Sequence, residues 1–537
     1  MRRFGLTCRP EDWSRREGSL GPEQRRRRCK FMKMWLLSVT RKPWGVLPFL
    51  WGAWILLLAR LDSLSLWIDE WFTVGVIRAS WAGFLPHIIA TERRPPLHYA
   101  LLKLWAGFTG NGEFTLRTYS TLLALLAIAV LYALGRYLEN HRVGFCAALL
   151  LAGSPFAVLY GRMIRGYTQT MMLGILATWL FVRALRKPCR NRWVAYGLSV
   201  VALLYTDYSG IPLVGGHFLF LLMLPQARRV WQGWMTTFLI AILTCTPLLP
   251  VILAQKEHPV RLTDLAREAS GFVLKLVYPL YSWGAGETIF PWHLAALPSV
   301  MVCVFLLLLG LVTLFRTNRA GFWLLISVLG LSLLFMALLT TFIATDIPFV
   351  NSASRIPAAA AMFYLGVASG WNALSRCWLR WIGGLLIGAA FTCALWNYYH
   401  GYQFHNPIYV VPIRQVVEEV RARCASGDFI IAEADTLFGY YYEQNPGPAL
   451  YQDADYIANK AYIQSHRPDR VWLVTFGRDS TAGVGHTEEL AEWLRQVYPE
   501  VEVRGYVPQD MIYRRVKELL LGRSAYAYKL TIRIYSH

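Results

Sequence analysis

The sequence is short of charge, and above all of acid. Only 16% of its 537 residues are charged, with 33 Asp and Glu against 54 Lys and Arg. Soluble globular chains run nearer about 25% charged. Together with 55% hydrophobic residues and a mean hydropathy of +0.35, this excludes a soluble enzyme and a disordered chain. A polytopic membrane protein remains. No cysteine pair has metal-ligand spacing, and of nine cysteines only Cys424 lies in the polar C-terminal region. A disulfide framework and a zinc site are therefore not expected. No glycine-rich phosphate loop follows a strand; Gly483 and Gly485 in TAGVGH read as a plain loop. No small-residue cleavage site follows the first apolar stretch, so a cleaved signal peptide is not expected. A half-to-half repeat of the transporter kind is also missing.

What charge there is lies unevenly. Residues 1–45 hold 13 Lys/Arg and 4 Asp/Glu, including the run Arg25 to Arg28. Residues 46–404 hold 26 and 12, and residues 405–537 hold 15 and 17. The basic excess thus belongs to the tail and the apolar part, which suits membrane topology and not nucleic-acid binding. The tail reads as a basic cytoplasmic segment touching anionic lipid.

A membrane span needs about 20 apolar residues. Eleven stretches qualify as candidates, near 46–61, 114–135, 144–160, 169–185, 193–207, 210–225, 232–253, 294–315, 321–343, 356–374 and 381–397. The short links RYLENHRVG, RALRKPCRNR, QARRVWQ, RTNR and SRCWLR carry 13 Lys/Arg and the single acid Glu139. The positive-inside rule makes that side cytoplasmic, with the N-terminus, and an odd count of spans puts the C-terminal region outside. The other eleven acids of residues 46–404 fall on the outer side. A transporter more often buries acids at mid-membrane.

The first outer loop, 62–113, carries an amphipathic stretch, then Pro95-Pro96 and an apolar run too short to span. An interfacial or re-entrant helix starting at the prolines is expected there. The second long outer loop, 254–293, is polar, with Tyr278, Tyr281 and Trp283 suited to the membrane interface. From about residue 401 the pattern changes to short strands and helices. FIIAEA, RVWLVTF and KLTIRIY read as strands, PIRQVVEEVRARCASGD and TEELAEWLRQVY as helices. A small extracytoplasmic α/β domain over 401–537 follows.

Candidate chemistry collects at the outer interface. Asp69-Glu70, in LWIDEWFT, are adjacent carboxylates just beyond the first span; such a pair is also what a solvated helix start would carry. Glu92-Arg93-Arg94-Pro95-Pro96-Leu97-His98-Tyr99 sets two guanidinium groups before a helix start, an arrangement that favours phosphate, although interfacial arginines also snorkel. SPFAVLYGRMIRGYTQT carries Arg162, Arg165 and Tyr167, YTDYSG carries Asp207, and TDIPFVNSASRIP carries Asp346 and Arg355. Together they put acids and arginines around one outer mouth, suited to an anionic lipid headgroup with a polar attachment.

WIDEWFT, RRPPLHYALLKLW, GNGEFTLR, SPFAVLYGRMIRGY and LLYTDYSG, in this order, resemble the polyprenyl-phosphate-dependent membrane glycosyltransferases. These are the relatives of dolichyl-phosphate-mannose–protein mannosyltransferase and of the lipid A aminoarabinose transferase. The resemblance covers residues 46–230 well and weakens towards 375. It implies a C-type glycosyltransferase fold in 46–400, a multi-pass protein of a bacterial plasma membrane, and a sugar donor on polyprenyl phosphate. It implies Asp69 as the catalytic carboxylate, with Glu70 in support. Arg93, Arg94, Arg165 and Arg355 would bind the donor phosphate. Glu92, His98, Tyr99, Arg162, Tyr167, Asp207 and Asp346 would line the substrate site. The acceptor would be a hydroxyl of a glycan, lipid or protein outside the cytoplasm, attacked with inversion. A divalent cation, Mg2+ or Mn2+, at Asp69 is left open, because some relatives use one. The chain departs from the family at Met163, where many members have an acid, and at Asp207 and Arg94, where they often have histidine. The competing readings are a flippase or transporter of a lipid-linked glycan, and a non-catalytic scaffold.

Overall fold

A computed structural model describes residues 47–223, 230–257, 271–342, 349–433, 437–477, 485–507, 515 and 529–536. The basic tail, Asp346 and Gly483 lie outside the described residues.

The helical part begins with α1 (Leu47–Leu58). The first outer loop folds into α2 (Ile68–Arg78), α3 (Trp81–Thr91) and α4 (Leu97–Thr109). There follow α5 (Glu113–Leu138), α6 (His141–Gly153), α7 (Pro155–Gly161), α8 (Tyr167–Arg186), α9 (Arg190–Leu204), α10 (Gly210–Met223), α11 (Trp231–Cys245) and α12 (Leu248–Glu257). Then come α13 (Phe272–Ala285), α14 (Ala296–Thr317), α15 (Arg319–Phe342), α16 (Pro357–Ala373) and α17 (Cys377–His400).

Every apolar stretch expected to span is helical. Five of these helices, α5, α8, α14, α15 and α17, are long and apolar enough to cross a membrane, and two bent pairs raise the number to seven. The pair α6–α7 bends by 59° and α11–α12 by 54°. At the first bend Pro155 withholds a backbone donor, and the Ser154 hydroxyl accepts instead from the Ala157 N–H at 3.3 Å. Helix α16 is 17 residues, and its first fourteen, Pro357 to Gly370, are all buried. It is the centre of the bundle, so its partners are helices and not lipid.

Small residues make that centre. At Gly370 an added Cβ would lie 1.8 Å from the Leu306 carbonyl oxygen, and at Gly310 2.2 Å from that of Gly366. Glycine lets α14 and α16 approach this closely. Gly370→Ala is expected to lower stability by about 1–3 kcal/mol through overpacking, read as a lower midpoint of thermal unfolding in detergent.

The second outer loop needs correction. Tyr278, Tyr281 and Trp283 do not line an interface: they are buried in α13, at 8%, 8% and 0% exposure. This helix packs against α14, α15 and α17, and its Lys275 amine bonds the Thr340 carbonyl. The run FVLKLVYPLYSWGA is short for a span and broken by Lys275 and Pro279, and α13 draws its burial from distant helices.

The C-terminal part contains α18 (Ile413–Arg423), β1 (Phe429–Ala432), α19 (Phe438–Gln444), β2 (Leu450–Asp453), α20 (Tyr456–His466), β3 (Arg470–Gly477), α21 (Gly485–Val497), β4 (Glu500–Tyr506) and β5 (Lys529–Ser536). The sheet order is β2-β1-β3-β5-β4. The pairs of β1 are parallel and those of β5 antiparallel. Gly485 opens α21 instead of lying in a loop. This domain shares a hydrophobic core with the first loop: Leu66, Val74, Ile77 and Leu102 cluster with Val416, Tyr440 and Trp472. The Leu66 N–H donates to the Tyr441 hydroxyl at 2.7 Å, and Arg414 pairs with Glu113 at 2.6 Å. The domain therefore sits on the same side as Asp69.

Candidate active site

Five chain segments meet at the start of α2: the α3–α4 turn, the α7–α8 turn, the end of α9, the start of α5 and α2 itself. The Leu97 N–H donates to the Tyr205 carbonyl at 2.9 Å, which ties α4 to the end of α9. Gln169, in the first turn of α8, reaches the His98 ring at 3.1 Å and the Thr206 hydroxyl at 2.9 Å.

The two adjacent acids part company here. Glu70 is 1% exposed and fully engaged. It pairs with Arg117 at 2.9 Å and accepts from the Ile164 N–H at 2.8 Å. It also accepts from the Trp67 N–H at 3.4 Å, capping the start of α2. Arg117 also donates to the carbonyls of Leu61, Leu64 and Ser65, and so clamps the chain entering α2. Asp69 instead keeps 31% of its side chain exposed and meets Arg165 at 3.5 Å.

Arg165 is the hub. Its guanidinium donates to Glu92 at 2.5 Å, to the Thr73 hydroxyl at 2.9 Å and to the Asp69 backbone carbonyl at 2.9 Å. Burial opposes its charge, and the carboxylates of Glu92 and Asp69 outweigh burial, so it stays protonated. Tyr99 hydrogen-bonds Glu92 from α4. Arg94 pairs with Asp207 at 2.9 Å and lies 4.5 Å over the Tyr167 ring. Two of the four arginines read as phosphate holders thus already face carboxylates. Arg93 is exposed.

Burial pushes the His98 ring down to about 3, so it is neutral at working pH. Its Nε2 is buried without a partner, as are Nε of Arg165 and Nε of Arg355. Arg162 makes no bond to Asp69 among the described residues and lines a small cavity with Glu70 and Arg117. It donates to the Arg60 carbonyl at 2.6 Å and covers the rings of Tyr398 and Tyr399 at 5.0 Å each. It fastens the end of α1 to α17. Arg355 stands in the turn before α16, with no bond to Asp69 among the described residues.

The fold has known counterparts. The crystal structure of ArnT from Cupriavidus metallidurans in the apo state superposes with a TM-score of 0.53 at 11% identity, over 91% of this chain and 97% of that one. The same protein bound to undecaprenyl phosphate gives 0.52 at 12% identity, over 91% and 98%. The chain shares the fold of that protein. The family model of dolichyl-phosphate-mannose-protein mannosyltransferase matches residues 93–253, a stretch from Arg93 into α12. The resemblance read from the five sequence segments is thereby borne out. No curated protein sequence matches the chain significantly.

Beside this cluster lies a buried acid that sequence analysis had only placed on the outer side. Glu287, between α13 and α14, accepts from the Tyr160 hydroxyl at 2.7 Å and the Ser282 hydroxyl at 2.8 Å. Tyr160 in turn packs on Tyr167 at 4.9 Å. Burial raises the Glu287 carboxyl from 4.5 to about 7. The folded state then binds its proton more tightly than the unfolded state. Its stabilisation is complete below pH 4.5 and is lost as pH rises through 7. Thermal stability is expected to fall over that window, by at most about 3 kcal/mol, and Glu287→Gln to flatten the slope.

Arg117, Gln169, Thr73 and Glu287 were not singled out from sequence. The sequence signal available for Arg117 was its place inside GNGEFTLR, one of the five segments of the resemblance.

Proposed function

We propose that the protein is an integral membrane glycosyltransferase that moves a sugar from a polyprenyl phosphate to an acceptor hydroxyl. The observation that carries this is the division of labour at the start of α2. Asp69 is open to an incoming molecule, while Glu70 and Glu92 are buried against arginines.

Asp69 is the general base. Arg165 orients it, and Asp69 takes the proton of the acceptor hydroxyl as that oxygen bonds the anomeric carbon. The bond from the anomeric carbon to the phosphate oxygen breaks, and polyprenyl phosphate leaves as the anion. One displacement inverts the anomeric centre. Phosphate is already a good leaving group, so cationic side chains need only hold it and offset its charge. Arg93, exposed in the α3–α4 turn, and Arg355, with its unpartnered Nε, are the candidates; Arg94 and Arg165 contribute through the carboxylates they hold. Glu70 acts through Arg117 on the position of α2.

A divalent cation does not fit these residues. Among the described residues no three His, Cys, Asp or Glu side chains converge as ligands. The charged group against Asp69 is a guanidinium, which would repel a cation. No step of the reaction is routed through a metal.

The thirteen Lys/Arg of the short links support a plasma-membrane orientation with the N-terminus in the cytoplasm and Asp69 outside. The docked α/β domain supports an acceptor approaching beside it. The test is a panel of polyprenyl phosphates carrying different hexoses and pentoses, offered in nanodiscs with a membrane extract as acceptor source. Release of free polyprenyl phosphate from one donor is expected. Donor binding with no release from any donor would favour a flippase.

A further inference from the structure

Away from Asp69, a groove of about 1070 Å³ runs along the bundle surface between α1, α6, α16 and α17. Its walls are Phe145, Leu149, Trp371 and Phe391, and its floor on α17 is made by Gly384 and Gly388. On α17 it runs from Arg380 to Tyr399, about 28 Å of helix at 1.5 Å per residue, close to the thickness of a bilayer core.

The two ends differ. One end is lined by His141, Arg142 and Arg380; the other, by Leu395, Trp396 and Tyr399, lining residues without charge. The three basic residues lie in or beside the links RYLENHRVG and SRCWLR, which the positive-inside rule makes cytoplasmic. His141 uses Nδ1 on the Tyr132 hydroxyl at 2.7 Å, and its Nε2 is buried without a partner. Arg380 caps the end of α16 through the carbonyls of Asn372 and Leu374, and its Nε is likewise buried without a partner. Arg142 is exposed and forms no ion pair among the described residues. Glu139, the acid of this side, accepts from Ser369 and does not line the groove.

We propose that this groove holds an anionic phospholipid of the cytoplasmic leaflet, with its phosphate at His141, Arg142 and Arg380 and its acyl chains along α6 and α17. Basic pockets between helices at a cytoplasmic surface recognise such headgroups. An apolar groove as long as a bilayer core accepts hydrocarbon, and the unpartnered donors at one end require an acceptor. The occupant is not the sugar donor, because the donor's phosphate must reach Asp69 at the outer face, whereas the basic residues of the groove stand at its cytoplasmic end. The lipid is a structural ligand that joins α1 and α17 to α6.

The test uses full-length protein purified in mild detergent. Retained lipid is extracted and quantified, and thermal unfolding is followed after adding phosphatidylglycerol or phosphatidylcholine. Wild type is expected to retain an anionic phospholipid and to gain thermal stability from phosphatidylglycerol alone. Arg142→Gln with Arg380→Gln is expected to retain at least tenfold less and to lose the response. Gly388→Leu leaves the basic end intact; an added Cβ there meets nothing within 4 Å, so the side chain grows into the groove without a clash. It too is expected to lose the lipid, and it carries the test if the double variant does not fold. Equal retention by Gly388→Leu and wild type, an equal response to phosphatidylcholine, or a photo-crosslink from Leu149 to residues 1–45 in place of lipid would each overturn the proposal.

Discussion

Asp69→Asn leaves a folded protein whose sugar transfer falls by about 10²–10⁴-fold, the span typical of a lost general base. The substitution keeps the size of the side chain. It also keeps the backbone carbonyl that Arg165 and Thr73 bond, so the cluster behind it is expected to stay assembled. Arg165 retains Glu92 at 2.5 Å as its principal carboxylate. What is lost is the open carboxylate oxygen that can take a proton. Turnover should therefore fall with little change in unfolding temperature or donor affinity, as measured by initial rates and thermal unfolding on the same preparation.

The neighbouring acid is expected to behave in the opposite way. Glu70→Ala strands Arg117, which is buried among the carbonyls of Leu61, Leu64 and Ser65 and keeps only the more distant Glu113 carboxylate, at 3.9 Å. Removing one partner of a buried pair costs about 3–5 kcal/mol, so this variant should unfold early or fail to accumulate. Replacing both partners by apolar residues, Glu70→Leu with Arg117→Met, removes the stranded charge and should recover much of that stability. Thermal unfolding of the single and double variants decides it. If Glu70→Ala instead folds like wild type and loses only turnover, Glu70 belongs to the chemistry and not to the frame.

This contrast shows where sequence stops being informative. LWIDEWFT marks an acid pair at the membrane edge, but nothing local says which acid is open. That depends on Arg117, 47 positions from Glu70, and on the Ile164 N–H, 94 positions away. That arginines gather at the outer face was legible; that Arg94 is held by Asp207 and Arg165 by Glu92 was not, because those pairings are made by folding. The apolar stretches were all legible as helices. Their lengths and bends were not, since a central helix such as α16 needs no lipid-facing length and the α6–α7 bend needs only Ser154-Pro155. In the α/β domain, the strands found from sequence, β1, β3 and β5, are central in the sheet. The strands missed, β2 and β4, are its edges, exposed and carrying polar residues such as Gln452 and Arg504 that blur the pattern.

The most direct test of the account compares wild type and Asp69→Asn in nanodiscs, measuring binding of the polyprenyl-phosphate sugar and release of free polyprenyl phosphate in the same samples. Bound donor in both, with release lost in Asp69→Asn, is the expected result. Equal release by the two proteins would contradict the assignment of Asp69 as the base.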